Sequence, residues 1–105
     1  MSTYSTLFFS GEGVGGSQLV YTVPALSVVV LRDIEVWNNT TGPAALSVSR
    51  YVSGSFVCVV VLTPAIESNV WWQWQGRAVF NPGDEIYISA PPQMFAHISG
   101  YLLSS

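Results

Sequence analysis

One stretch in the second half of the chain, residues 70–88, limits most strongly what this sequence can fold into. It reads Val-Trp-Trp-Gln-Trp-Gln-Gly-Arg-Ala-Val-Phe, followed by Asn81–Asp84 and the alternating segment Glu85–Ile88. Pro82 sets φ at about −65° for the first central position of a turn, and Gly83 supplies the positive φ that a type II turn needs at the second. The stretch therefore predicts two β-strands joined by a tight turn.

The rest of the chain shows short apolar or alternating runs separated by glycine and proline. No long window has the helical period of 3.6, and chain breakers recur roughly every 8–12 residues, which is typical of sandwiches and barrels. We predict an all-β fold, an antiparallel β-sandwich of about eight strands resembling a jelly roll, in a single domain spanning residues 1–105. The predicted strands are 3–10, 18–23, 27–38, 45–52, 56–62, 70–80, 85–90 and 94–103.

Alternation within a strand predicts which side chains face the core, because successive residues point to opposite faces. The first strand alternates around Leu7 and Phe9. Arg32 interrupts the apolar side of strand 27–38, which predicts either a β-bulge or an ion pair with a carboxylate. The residues expected to face the core in that strand are Val28, Val30, Ile34 and Val36, and those in the last strand are Met94, Ala96, Ile98 and Leu102.

Charge is sparse, since 9% of the residues are charged, the net charge is −3 and no residue is lysine. Nucleic-acid binding and anionic membrane surfaces are therefore not expected, because both require clustered cations. A folded chain of this mass exposes on the order of 5,800 Å². Much of that surface must be apolar or uncharged, which indicates burial against partners. The alternative is a monomer whose surface is covered by serine, threonine, glutamine and asparagine.

Cys58 is the single cysteine, so an intrachain disulfide is impossible. Its apolar surroundings, Phe56–Leu62, predict a buried and unreactive thiol. The N-terminus lacks the basic start and apolar segment of a signal peptide, and no apolar run approaches the ~20 residues of a membrane helix. We therefore expect neither secretion nor membrane insertion.

Motifs with catalytic or cofactor chemistry are weak. Gly11, Gly13 and Gly16 match the spacing of a dinucleotide fingerprint, but they lead into a β pattern instead of the helix that would face a pyrophosphate. His97 is the single histidine, so a histidine-based metal site is not expected. We predict no catalytic, cofactor-binding or metal-binding residues, and a surface position for His97.

The tryptophan run predicts a contact surface. In a regular strand Trp72 and Trp74 share one face and Trp71 points to the other, so at least one indole should lie outside the core. An exposed tryptophan is a typical anchor of protein–protein interfaces, and aromatic rings also stack on sugars. The alternative is that all the tryptophans fill the core.

Several short segments carry a likeness to known proteins: Leu7–Gly11, Tyr21–Ala25, Val30–Ile34, Gln75–Arg77 with Asn81–Asp84, and Ile98–Tyr101. Through them the chain resembles small virion proteins of tailed bacteriophages, especially those of actinobacterial hosts. The resemblance implies a β-sandwich that decorates a capsid or belongs to the tail, usually as an oligomer and without catalysis. The tryptophan cluster and Pro91–Pro92 depart from that pattern.

We therefore predict a non-enzymatic structural protein in the virion of a tailed bacteriophage, made in the cytoplasm of the host bacterium. Its expected partners are other virion proteins and further copies of itself, with a trimer as one option. The residues expected at protein contacts are Trp37, Trp71, Trp72, Trp74, Arg77 and Tyr87. Arg77 has an equal alternative, an internal ion pair with Asp84 or Glu85.

The second functional hypothesis is a carbohydrate-binding, lectin-like module of a phage adsorption apparatus. It would use the tryptophans as platforms for sugar rings, so that a glycan would replace a protein as the ligand. Saturable quenching of tryptophan fluorescence by a glycan would separate the two hypotheses.

Overall fold

The computed structural model describes the backbone of residues 2–104 and the side chains of residues 5–104. Every predicted strand is present, and its ends differ by no more than two residues from the prediction. The strands are β1 (Ser2–Glu12), β2 (Ser17–Thr22), β3 (Ser27–Asn38), β4 (Ser47–Val52), β5 (Ser55–Leu62), β6 (Trp71–Phe80), β7 (Asp84–Ser89) and β8 (Met94–Ser104).

These strands form two antiparallel four-stranded sheets. Sheet 1 has the order β1-β8-β3-β6 and sheet 2 has the order β2-β7-β4-β5. The first strand pairs with the eighth, the second with the seventh, the third with the sixth and the fourth with the fifth. This nested pairing arises when one long antiparallel ribbon winds into two packed sheets, which is a jelly roll. The predicted fold class is confirmed, while a single domain over residues 1–105 stays a prediction.

The core lies between the inner faces of the two sheets. Each fully buried apolar side chain of this size stabilises the fold by about 1.5–3 kcal/mol, so the paired inner faces hold the sandwich closed. The largest fully buried side chains are Leu31, Ile34, Phe80, Met94 and Ile98 from sheet 1, Ile86 and Ile88 from sheet 2, and Leu46, which directly precedes β4.

A β-bulge at Arg32 divides β3 into two halves, because the register with both neighbouring strands shifts there. One of the two alternatives predicted for Arg32 is thereby confirmed. The extra residue changes which positions face inward, so Val29 and Leu31 are fully buried before the bulge. Val28 is half-buried and lies outside the core cluster, so the prediction that it faces the core is wrong. Val30 is buried, as predicted, but is not part of the same cluster. After the bulge, the even-numbered positions are buried as predicted.

A second bulge lies in β1, where the register with β8 shifts between Leu7 and Phe9. Phe8 is buried, and its ring meets that of Tyr21 edge-on with centroids 4.8 Å apart. Leu7 is 53% exposed, so the predicted alternation around Leu7 and Phe9 is wrong at Leu7. In β8 the prediction is confirmed, since the four named residues lie in or against the core.

The turn predicted at Asn81–Asp84 is confirmed. Gly83 has φ of 83°, the amide of Asp84 donates to the carbonyl of Asn81 at 3.0 Å, and Asp84 Oδ2 accepts from the amide of Asn81 at 2.9 Å. The strands that the turn joins do not pair with each other, because β6 belongs to sheet 1 and β7 to sheet 2. The turn therefore carries the chain across the sandwich.

An ion pair fastens this crossing to sheet 2. Arg50 Nε lies 3.3 Å from Asp84 Oδ2, and the guanidinium also donates to the carbonyl of Val79. Its Cζ lies 4.7 Å from the centroid of the Phe80 ring. Arg50 on β4 thus contacts the end of β6 through Val79 and Phe80, and the start of β7 through Asp84.

The hairpin predicted from the short Ser-Gly-Ser turn is confirmed between β4 and β5. Ser53 and Gly54 both have positive φ, 50° and 80°, as the two central residues of a type I′ turn require. Because β5 has β4 as its sole neighbour in the sheet, this strand forms an edge. Cys58 is consequently half-buried, and the prediction of a buried thiol is wrong.

The side chain of Asn38, at the end of β3, connects two long loops. Its Nδ2 donates to the carbonyls of Ile66 at 2.7 Å and Gly42 at 3.0 Å. Its Oδ1 accepts from the amide of Thr40 at 2.9 Å and lies 2.6 Å from the Thr40 hydroxyl. Asn38 is fully buried, so the loops 39–46 and 63–70 depend on a polar side chain with no access to water.

Candidate functional site

The inner faces of the sandwich are filled by the core, so candidate sites lie on the two outer faces and the edges. On the outer face of sheet 1 an aromatic row crosses three strands. Trp37 on β3 is opposite Trp71 on β6 and Phe95 on β8. The rings of Trp37 and Trp71 lie 5.0 Å apart at 40°, and Trp71 is 65% exposed. This row is an aromatic surface at one end of sheet 1.

The next rows of the same face are polar. Glu35 is opposite Gln73 on one side and His97 on the other, and Gln73 Nε2 donates to Asp33 Oδ1 at 3.1 Å. An open hollow of about 410 Å³ is lined by Glu35, Trp71, Trp72 and Gln73. An indole beside a carboxylate and an amide is an arrangement that can contact an amphipathic ligand.

Trp72 and Trp74 point to the opposite side of β6 from Trp71, as predicted. Both are half-buried and pack against the core. The indole of Trp74 covers Gly76, where an added Cβ would lie 2.6 Å from Trp74 Cζ2. The prediction that at least one tryptophan of the run lies outside the core is confirmed by Trp71.

Tyr87 lies on the other sheet. Its ring stacks on Tyr51 with centroids 3.9 Å apart, and Phe56 meets Tyr51 edge-on at 5.6 Å. Tyr87 therefore does not share a surface with Trp37 and Trp71, and the six residues predicted at contacts do not form one patch. Their role in protein contacts stays a prediction.

Arg77 is exposed on β6. The alternative of an internal ion pair is wrong, since Asp84 pairs with Arg50 instead and Glu85 Oε1 accepts from the amide of Gly54 at 2.7 Å. Both acidic groups offered for the pairing are thus used by other residues, and Arg77 is an exposed residue on the outer face of sheet 1.

The outer face of sheet 2 contains residues that the sequence analysis did not select. The register places a set of apolar side chains together there, and four of them are about half exposed or more. A uniformly apolar strand such as β5 has the pattern of a strand that is buried on both faces. The pattern therefore gave no sign that some of its side chains are exposed. We call this surface the apolar face, and its residues are Leu19, Tyr51, Phe56, Val59, Leu62 and Tyr87.

The structure does not bring together Ser99, His97 and Asp84, the side chains from which a serine–histidine–aspartate triad could be drawn in this sequence. His97 and Ser99 point outward from sheet 1, whereas Asp84 lies at the start of β7 in sheet 2, paired with Arg50. The glycines of the dinucleotide-like motif lead into β2. Within residues 2–104, no three histidine, cysteine or acidic side chains are grouped to hold a metal ion. The same residues include no helix of the length and apolarity needed to cross a membrane.

Neither a protein-family model nor a curated protein matches this sequence. Two solved structures are similar over nearly the whole chain, the infectious bursal disease virus VP2 subviral particle and the T13 viral particle of the same virus. Identity is 12% over 98% of this chain for the first and 15% over 96% for the second, each with a TM-score of 0.55.

The similarity is one of fold. This chain spans about a third of the length of the two viral chains, 32% and 30% respectively. The shared part is the eight-stranded sandwich, which viral capsid and lectin domains both use. At this level of identity the residues of a site are not transferred from one protein to the other.

Proposed function

We propose that this protein is a non-enzymatic structural component of a virus particle. The observation that carries the proposal is an apolar, nearly uncharged outer face on a jelly roll similar to proteins of viral particles. Exposed apolar surface of this extent belongs to proteins that bury it against partners. A chain with sparse charge and scattered catalytic candidates suits assembly better than chemistry.

In its finer form, the proposal places the chain in the virion of a tailed bacteriophage, as a capsid decoration or tail protein made in the host cytoplasm. Other virion proteins would be its partners, and residues 1–105 would act as one domain. The sequence resemblance to actinobacteriophage virion proteins supports this form. Trp37, Trp71 and Arg77 would contact the particle, since all three lie on the outer face of sheet 1.

Immunogold labelling of intact particles tests the proposal. With an antibody against the chain, we expect gold on purified particles, at regular positions on the head or along the tail. Removing the exposed indole by Trp71→Ala should lower the amount of the protein that is incorporated into particles. Trp74→Phe, at a half-buried position, should not change that amount. If label stays in the soluble lysate while the particles carry none, the proposal is wrong.

A glycan-binding module is a second candidate, favoured by the hollow beside Trp71. Glu35 and Gln73 would bind sugar hydroxyls there while the indole stacks on a ring. Under the structural proposal, titration with neutral oligosaccharides should leave tryptophan fluorescence unchanged. A saturable change that disappears in Trp71→Ala but persists in Phe56→Ala, on the other sheet, would favour the glycan-binding candidate.

A further inference from the structure

The two outer faces of the sandwich differ in charge. The outer side of sheet 1 contains five charged residues, which are Glu12, Arg32, Asp33, Glu35 and Arg77. Within the described part of sheet 2, the outward positions contain one, Glu85, whose carboxylate accepts a hydrogen bond from the amide of Gly54. The outward-facing charges are therefore concentrated on sheet 1, and Glu85, opposite Tyr51, is the one charged residue at the outward positions of sheet 2 within the described residues.

Aromatic contacts order the apolar face. Tyr51 stacks on Tyr87 and meets Phe56 edge-on, so the three rings form a continuous surface from β7 to the edge strand β5. Leu19 on β2 is opposite Tyr87, and Val59 extends the surface along β5. The face therefore spans all four strands of sheet 2.

We propose that the apolar face binds the same face of a second copy of this chain, related by a two-fold axis. The inference deepens the proposed function, on which it rests, by naming one contact through which the structural component assembles. A two-fold contact uses one self-complementary patch on both copies. A nearly uncharged patch can meet its own copy because no array of like charges is brought together, whereas a charged patch would repel itself.

The area of the face is sufficient for such a contact. Four apolar side chains that are about half exposed or more, together with the less exposed rings of Tyr51 and Tyr87, present on the order of 500 Å² per copy. The serines and the backbone between them bring the total towards the ~800 Å² per partner of a stable interface. The outer face of sheet 1 contains a smaller aromatic row and most of the charges.

Packing face to face is favoured over pairing of the two β5 edges. The register of β5 with β4 shifts twice, between Val48 and Ser49 and between Arg50 and Tyr51. Bulges of this kind bend an edge strand and interrupt the regular spacing of its free backbone groups. The side-chain surface is continuous, while the backbone edge is not.

Sedimentation of the full chain across a range of concentrations tests the inference. We expect dimers in the native protein, and a dissociation constant raised about 30-fold or more by Phe56→Glu and by Leu19→Glu, at opposite edges of the face. Trp71→Glu and Tyr101→Glu, at exposed positions on sheet 1, are the matched controls and should leave it unchanged. Unaltered thermal unfolding of each variant, measured at a concentration where it is monomeric, shows that the fold is retained.

A native chain that stays monomeric up to millimolar concentration overturns the inference. So does a dimer that dissociates on Trp71→Glu but withstands Phe56→Glu and Leu19→Glu. These outcomes are separate from the particle labelling: a monomer that still labels particles refutes the two-fold contact alone, whereas a dimer missing from particles refutes the virion role alone.

Discussion

Replacing Gly100 by alanine is expected to destabilise the protein by about 3–5 kcal/mol, the largest effect of any single methyl addition considered. Gly100 lies on β8 opposite Leu31, next to the bulge at Arg32. A Cβ at this position would overlap the carbonyl oxygen of Val30 and lie 3.0 Å from Leu31 Cα. Backbone atoms cannot rotate away as a side chain can, so β3 would have to move from β8. Urea unfolding followed by tryptophan fluorescence measures the loss.

The matched control is Gly16→Ala in the loop before β2. No atom lies within 4 Å of a Cβ at Gly16, and its φ is outside the positive range. We expect this variant to be unchanged or stabilised by up to about 1 kcal/mol, because alanine restricts the unfolded chain. A loss below about 1 kcal/mol for Gly100→Ala would mean that β8 and β3 are not as closely spaced as described.

Replacing Asn38 by alanine is expected to cost about 3–4 kcal/mol, since burial leaves its former partners without water. The carbonyls of Ile66 and Gly42 and the amide of Thr40 would each lose a hydrogen bond. Asn38→Asp should be at least as damaging, because a carboxylate would face the two carbonyls in place of a donor. Unfolding free energies from urea titration give both values.

Asn39→Ala provides the comparison for the adjacent position. Asn39 is exposed, and substitutions at exposed sites usually change the free energy of unfolding by less than about 0.5 kcal/mol. Equal losses at positions 38 and 39 would contradict the role of Asn38 as the connection between the loops. Hydrogen exchange of the amides in 39–46 and 63–70 should rise in Asn38→Ala alone.

Local rules were sufficient for the strands and turns. Pro82 and Gly83 fixed their turn because each restricts or permits particular φ values, whatever surrounds them. The bulge at Arg32 was one of the two predicted alternatives, since a charged residue on the apolar side of a strand must either be moved out of the core by a bulge or be paired with a carboxylate. Alternation along β8 was predicted correctly because the extra residues at its two register shifts lie in the neighbouring strands β1 and β3, and β8 itself has none.

Bulges account for the faces that were assigned wrongly. One extra residue at Arg32 and one at Phe8 exchange the inward and outward positions on either side, so alternation counted through them predicts the wrong face. The same limit applies to Cys58 and Phe56, since an apolar strand in the middle of a sheet and one at its edge have the same pattern. Their exposure depends on which strand lies beside them.

The amino-acid sequence alone determined that this chain is all-β, where its strands begin and end, and that its surface would be poor in charge. These properties follow from φ preferences, side-chain alternation and composition, which are local or summed quantities. Only the tertiary structure decided that β6 and β7 lie in different sheets, that Tyr87 is separated from Trp71, and that the charges are concentrated on one outer face. Those outcomes depend on which distant strands pair. The residue pattern of a single strand does not indicate which strand, far away in the chain, will lie beside it.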